Sequence, residues 1–277
     1  MNRRAFVAAL GVGVASSLFA KSFASRLLNP CLAGLPTHLA ADPIFQQAWD
    51  GIDPTHVWDC HTHLVGVGDD DRCTYANPRT TNPLFVSQFA QRIFYMNAAC
   101  VNPSKGTTDR SYVEHLHSLL DGMPHGAKVM LLAFESFRDS SGATDWRRTT
   151  FHTPNNYARD LAREFPARFE WVASIHPHRN DCVTELRRSK QDGARAVKWL
   201  PSAMGIDPAA KKCDEFYAAM AELNLPLITH AGHEAAVECS ARPLAITRGN
   251  HGRPLELLGV LVVGLRLLGP RHDVQRD

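Results

Sequence analysis

The chain has 277 residues, of which 44% are hydrophobic and 21% are charged, and its formal net charge at neutral pH is +2. This composition is that of an ordinary soluble globular protein, long enough for one large α/β domain or two small ones. The near-zero charge gives no reason to expect a nucleic-acid partner or a strongly acidic one.

The N-terminal segment, residues 1–25, has the pattern of a Tat-type signal peptide. Arg3 and Arg4 precede an apolar run over 5–20, and residues 22–24 (Ser-Phe-Ala) supply small side chains for a cleavage site. The alternative is a membrane anchor, but a spanning helix needs about 20 apolar residues, more than this run provides. We therefore expect a periplasmic or secreted protein with no stable membrane anchor once the signal is cleaved.

Behind the signal we expect three further segments: a lead-in over 26–55, a partial barrel over 56–240 and an atypical, partly apolar tail over 241–277. Seven cysteines are present without a CxxC pair, which excludes a zinc ribbon and a dense disulfide framework. Export permits disulfides, but the sequence alone does not pair these cysteines.

Residues 56–65 predict a strand that carries potential metal ligands. Asp59, His61 and His63 are two apart, and side chains two apart in a strand point to the same face. A carboxylate and two imidazoles are good ligands for Zn²⁺ and for other divalent metals such as Mn²⁺ or Fe²⁺. The alternative is a solvated edge strand whose histidines are there by chance.

The rest of the chain alternates helices with strands. We predict helices over 83–100, 108–122, 155–165, 183–190 and 211–223. We predict strands over 127–134, 169–175, 194–200 and 225–230. This alternation implies a parallel sheet with right-handed crossovers. Polar residues recur at the C-terminal ends of the strands, where (β/α)₈ barrels form their active sites.

Two of these strands carry further candidates for a site. Lys198 lies in an apolar strand, where burying an ammonium group is costly unless it is paired or chemically changed. It either escapes to solvent or pairs with a carboxylate, or it faces a metal or a substrate. His230 ends the following strand and is a candidate third ligand, with a structural role as the alternative.

Two further pairs of histidines are expected to have different roles. His176 and His178 follow a strand and are candidate substrate contacts, although His176 could equally be a capping or core residue. His115 and His117 fall in a predicted helix, where residues two apart do not share a face. We therefore expect the second pair to be surface histidines rather than ligands.

The ligand types indicate a class of chemistry. Imidazoles and a carboxylate can hold Zn²⁺ with an open coordination position, and the metal lowers the pKa of bound water toward about 7. Attack of the activated water on an ester, amide or lactone is then the natural reaction.

These motifs, taken in this order, resemble the amidohydrolase superfamily, particularly its amidohydrolase-related (amidohydrolase 2) branch. The resemblance covers roughly residues 57–234. It rests on four motifs, namely Asp59-x-His61-x-His63, Ile-His-Pro-His-Arg at 175–179, Gly-Ala-Arg-Ala-Val-Lys-Trp-Leu-Pro at 193–201 and Ile-Thr-His-Ala-Gly at 228–232. It implies a metal-bearing (β/α)₈ TIM barrel that hydrolyses amides, esters, lactones or phosphoesters of small molecules, or in some members decarboxylates them.

The resemblance also assigns roles by position. His61 and His63 resemble the first-strand metal ligands of the family, and His230 resembles the fifth-strand ligand. Lys198 falls where some members have a carbamylated lysine that bridges two metals.

The end of the chain departs from the family, which implies a sixth-strand histidine and an eighth-strand aspartate. The residues after His230 are too few for three more βα units. His251, His272 and Asp273 lie in polar or terminal surroundings rather than on a convincing strand. We therefore expect a truncated or frameshifted member with about five of the eight βα units. The alternatives are a TatD-like metal-dependent nuclease and a non-catalytic remnant or binding protein, and the oligomeric state stays open.

Overall fold

The computed structural model describes residues 29, 31, 34–101, 107–230 and 261–262. The predicted signal peptide, the late-strand candidates His251, His272 and Asp273, and most of the predicted tail lie outside the described residues. Within these ranges, no helix is long and apolar enough to cross a membrane.

The chain divides into two compact units, Met1–Ala48 with Arg79–Met123 and Trp49–Pro78 with Pro124–Asp277. The first unit is helical, with α1 (Thr37–Ala40), α2 (Pro43–Ala48), α3 (Val86–Ala98) and α4 (Thr108–Leu120). The helices predicted over 83–100 and 108–122 are therefore confirmed. The hydroxyl of Thr107 accepts the backbone N–H of Arg110 at 3.3 Å and caps α4.

A disulfide fastens the lead-in to the end of α3. Cys31 is bonded to Cys100, with the two Cα atoms 5.3 Å apart and a sequence separation of 69. Both cysteines have positive φ angles, 51° and 55°, in the left-handed region that non-glycine residues seldom occupy. The side chain of Asn29 also donates to the carbonyl of Ala98 at 2.9 Å. Spacing in the sequence does not predict this pairing.

The second unit contains short strands: β1 (Trp58–His63), β2 (Tyr75–Ala76), β3 (Lys128–Leu132), β4 (Phe151–His152), β5 (Phe169–Val172), β6 (Val197–Trp199), β7 (Leu227–Thr229) and β8 (Leu261–Val262). Strands β1-β3-β5 and β6-β7-β8 pair in parallel in these orders. A parallel bridge between Ala173 and Val197 joins the two sheets. The predicted parallel sheet is confirmed, and the fold is of the (β/α)₈ barrel type. β8 lies in the segment interpreted as an atypical tail, so the sequence analysis missed this strand.

Helices follow the strands of this unit: α5 (Asn155–Glu164), α6 (Cys182–Gln191), α7 (Pro201–Met204) and α8 (Asp214–Glu222). The helix predicted over 211–223 begins with a 3₁₀ turn, Lys211–Cys213, before α8. The antiparallel pair β2–β4 and the short α7 were not predicted. Proline at the first position of α7 suits a helix start, because the missing N–H would have no partner inside the helix.

An apolar layer lies directly below the predicted site. Its buried side chains are Met130, Leu132, Val172, Ala196 and Ile228. Cys60 packs against this layer and behaves there as a small apolar residue. Lys198 and His230 come two residues after Ala196 and Ile228, so they continue the same strand faces above the layer.

The pairing of β1 contains an irregularity. Asp59 is opposite Val129, whereas Thr62 is opposite Leu131, so three steps along β1 match two along β3. This register shift is of the kind that a β-bulge produces. The regular pairing expected along the ligand strand is therefore interrupted between Asp59 and Thr62.

A charged cluster holds the opposite, N-terminal ends of the strands. Glu170 accepts Lys128 Nζ at 2.8 Å and Arg195 Nε at 2.9 Å. Both cations also lie over the ring of Trp58, 5.9 and 5.0 Å from its centroid. These contacts stabilise the end of the barrel that lies away from the active-site rim.

Candidate metal site at the strand ends

The structure brings three of the predicted site residues, His61, Lys198 and His230, close to a fourth, His63. The rings of His61 and His63, both on β1, have their centroids 5.1 Å apart. Burial lowers the pKa of His63 to about 4, and the positive charges of Lys198, His61 and His230 lower it in the same direction. The backbone of His230 is fixed by a hydrogen bond of 3.1 Å to the carbonyl of Trp199 on the neighbouring strand.

Lys198 is buried, as its apolar strand suggested. The residue is 1% exposed, so the predicted escape of its head group to solvent does not occur. Burial and, after it, the charge of Lys198 lower the pKa of His63, so this half-buried ring is neutral at pH 7. A neutral imidazole is the form that binds metals.

These residues fit a divalent metal in type, since two imidazoles from one strand and a third from another are common ligands for Zn²⁺. The described residues do not form a complete set of metal ligands. Across the described ranges, no group of three or more His, Cys, Asp and Glu side chains is arranged so that it could hold a metal ion. Asp59 is exposed, and its carboxylate accepts the backbone N–H of His61 at 2.9 Å. The donor set is therefore a partial site centred on His61 and His63.

His176 is fully buried, and the protein backbone engages both of its ring nitrogens. Nδ1 accepts the backbone N–H of His178 at 3.0 Å, so the ring proton lies on Nε2 and is donated to the carbonyl of Met204 at 2.9 Å. Burial lowers the pKa of His176 to about 4. The ring thus ties the loop after β5 to the end of α7, which is the core role that the sequence left open. Substrate contact by His176 stays a prediction and would require one of these bonds to break.

His178 differs from His176 in its ring contacts. Its Nδ1 lies 3.3 Å from the carbonyl of Asp139, and its buried Nε2 has no hydrogen-bond partner among the described residues. The residue also lines a cavity of about 470 Å³, together with Arg179 and Lys212. His178 therefore has a ring nitrogen to offer a ligand, and its predicted substrate contact stays a prediction.

A buried carboxylate that the sequence analysis missed lies at the same rim. Glu135 follows β3 and accepts Arg179 Nη1 at 3.0 Å and the Ser136 hydroxyl at 3.0 Å. Arg138 Nη2 lies 3.5 Å away. Burial would raise the pKa of Glu135, but the charges of Arg138 and Arg179 outweigh it and hold this pKa below its ordinary value. The available signal was a charged residue placed directly after the apolar run over 127–134.

The family model described as "Amidohydrolase" matches residues 58–262, which is most of the chain. No curated protein matches the sequence.

Several solved structures are similar to the chain. An uncharacterised TIM-barrel protein from Bordetella bronchiseptica is 14% identical, with 65% of this chain and 57% of that chain covered and a TM-score of 0.39. A probable 2-pyrone-4,6-dicarboxylic acid hydrolase from Acinetobacter baumannii is 16% identical, with coverages of 63% and 49% and a TM-score of 0.33. A 5-carboxyvanillate decarboxylase from Novosphingobium aromaticivorans, complexed with manganese, is 13% identical, with coverages of 64% and 51% and a TM-score of 0.39. The chain spans about half the length of these structures.

Proposed function

The chain belongs to the amidohydrolase family, and from this premise we propose that it is a metal-dependent hydrolase of small-molecule esters, lactones or amides. The observation that carries the proposal is the grouping of His61, Lys198 and His230 around the neutral ring of His63. This grouping lies at the C-terminal ends of parallel strands, where barrel enzymes place their chemistry.

The residues of the chain have distinct tasks in this proposal. A divalent metal, when bound, supplies a Lewis acid and an activated water. His61 and His63 would hold it, with His230 as the third ligand. We propose zinc, with manganese or iron as alternatives, because imidazole ligands suit all three. The amine of Lys198, kept from bulk water, is placed to stabilise negative charge that develops on a substrate oxygen.

The proposal is tested by adding Zn²⁺, Mn²⁺ or Fe²⁺ separately to the purified chain and measuring turnover of aryl esters, lactones and anilides. We expect turnover of at least one of these classes with at least one metal, and loss of it in the His61→Ala/His63→Ala variant. Parallel assays contain benzoate-type carboxylic acids and single-stranded DNA. Decarboxylation alone, or DNA cleavage alone, would replace hydrolysis with the corresponding activity. Equal turnover in the double variant would contradict the assigned site.

We also propose export through the Tat-type signal in residues 1–25. The Cys31–Cys100 disulfide supports this, because such bonds persist in oxidising compartments and are rare in the cytosol. Replacing Arg3 and Arg4 by lysine is expected to retain the chain in the cytoplasm, with the two cysteines reduced. Cell fractionation and thiol labelling measure both effects. Unchanged secretion of the variant would rule out the twin-arginine route.

A further inference from the structure

One buried hydroxyl connects three strand ends next to the candidate metal site. Ser174 follows β5 and is 3% exposed. Its Oγ donates to the carbonyl of Lys198 at 2.9 Å and accepts the backbone N–H of Glu135 at 3.0 Å. Its own backbone N–H donates to Asn155 Oδ1 at 2.8 Å. The hydroxyl thus serves as donor and acceptor at once.

These contacts hold the backbone of Lys198 on both sides of its Cα atom. Its N–H donates to the carbonyl of Ala173 at 2.7 Å, and its carbonyl accepts the hydroxyl of Ser174. Strand β6 has three residues, and these two bonds tie its central residue to the two residues that follow β5. The side chain of Lys198 is enclosed, and a shift of its backbone would carry the amine away from its present place.

We propose that Ser174 is a positioning residue that holds the amine of Lys198 at the candidate metal site. The proposal rests on the proposed function, since Lys198 matters for chemistry only if the site binds metal and substrate. Removal of the hydroxyl would leave a buried carbonyl and a buried N–H without their partner, an unfavourable state that the chain relieves by moving the strand or admitting water. Either response gives the amine of Lys198 freedom and exposure that it now lacks.

The test measures the chemical reactivity of Lys198 directly, in the full chain without added metal. Trinitrobenzenesulfonate modifies exposed amines, and peptide mass spectrometry gives the rate for each lysine under native conditions. In Ser174→Ala we expect the rate at Lys198 to rise about tenfold, the change that corresponds to the loss of one buried hydrogen bond. Ser174→Thr retains a hydroxyl and is expected to restore most of the slow rate. Should Ser174→Ala not fold, Ser174→Cys has the same shape with a slightly larger atom and offers only a weak donor, so the rate at Lys198 should rise in it as well.

Two controls separate positioning from general loosening. Ser189 is a buried serine on α6 whose Oγ has no hydrogen-bond partner among the described residues, so Ser189→Ala deletes a hydroxyl without breaking a bond. Lys128 reports on the far end of the sheet, where it pairs with Glu170. In Ser189→Ala, the modification rate at Lys198 is expected to change by no more than about twofold. In Ser174→Ala, the rate at Lys128 should likewise stay within about twofold, because neither case involves the hydrogen bond from Ser174 to Lys198.

Three outcomes decide the proposal. A rise at Lys198 alone in Ser174→Ala supports it. An unchanged rate at Lys198, or an equal rise at Lys128, overturns it, because the hydroxyl then has no role or only a general structural one. A calorimetric titration of the wild-type chain with Zn²⁺ and Mn²⁺ tests the proposed function separately. If the wild-type chain binds no metal but the modification rate rises selectively at Lys198 in Ser174→Ala, the proposed function is contradicted and the positioning role of Ser174 stands.

Discussion

Replacing His61 and His63 together by alanine is expected to abolish the binding of divalent metal. The two rings come from one strand with their centroids 5.1 Å apart, so the backbone holds this pair of candidate ligands close together. His230 alone cannot retain the ion, because one imidazole competes poorly with water for a hydrated cation. The bound metal, measured by elemental analysis and calorimetric titration, should fall from about one equivalent per chain, as in a three-ligand site, to a small fraction of that.

The chain offers a matched control for this experiment. His115 and His117 have the same His-x-His spacing but lie on α4, where residues two apart do not share a face. His115→Ala/His117→Ala should therefore bind metal as the wild type does. Equal loss in both double variants would indicate nonspecific binding by histidines, and unchanged binding in both would place the metal elsewhere. Circular dichroism of each variant establishes that it is folded.

The strands that form the candidate site could be predicted from the sequence because their apolar runs are unambiguous. The run from Val129 to Phe134 has no polar residue, which is the mark of a strand buried on both faces, and most of β3 lies within it. The polar residues that follow such runs then meet at one rim, as the barrel topology requires. His61, His63, Lys198 and His230 could be grouped on this argument alone.

The rest of the site depends on contacts that no local pattern encodes. Glu135 and Arg179 are 44 residues apart, and the choice of partner for a buried carboxylate is settled only when the strands are in place. The two ring nitrogens of His176 engage the backbone of His178 in its own loop and of Met204 at the end of α7, which periodicity cannot anticipate. The register shift between Asp59 and Thr62 in β1 has no signal in the composition. Strands of two residues, such as β2, are too short to show a period at all.

Ser174 also has no signal in the sequence that marks it as a site residue. A serine after an apolar strand is common and reads as the start of a loop. Its importance comes from the small size of its hydroxyl and from the two backbone groups that it bridges, Lys198 C=O and Glu135 N–H. Residues that organise a site through another residue are therefore found from the structure, whereas candidate ligands can be named from the sequence.

Glu135→Gln is expected to produce the largest loss of stability among single charge changes at this rim. The side chain of Glu135 is 3% exposed, and the side chains of its partners Arg138 and Arg179 are 18% and 21% exposed. Removing one member of a buried ion pair costs about 3–5 kcal/mol, because the remaining charge stays desolvated without compensation. Arg179 keeps a second partner, Asp181 at 2.8 Å, so we expect about 3 kcal/mol in denaturant unfolding, the lower end of that range.

The pH dependence of this loss identifies its cause. The pKa of Glu135 is lower in the folded chain than its ordinary value of 4.5, so the ionised carboxylate stabilises the fold at all pH values above that figure. As the pH falls below 4.5 through the folded-state pKa, the carboxylate takes up a proton and its stabilising contribution is lost. Glutamine has no such titration. The difference in unfolding free energy between wild type and Glu135→Gln should therefore be constant near neutral pH and shrink in acid.

An exposed ion pair of the same unit provides the comparison. Arg187 and Glu222 lie 3.4 Å apart, with side chains 51% and 65% exposed. Solvent screens such a pair, so Glu222→Gln should cost no more than about 1 kcal/mol. A loss in Glu135→Gln as small as this, or one that does not shrink in acid, would contradict the buried ion pair as the cause. A large loss of unfolding free energy that shrinks in acid means that charges as well as apolar packing hold this rim of the barrel together. The backbone N–H of Glu135 is also the group that the Ser174 hydroxyl links to the carbonyl of Lys198.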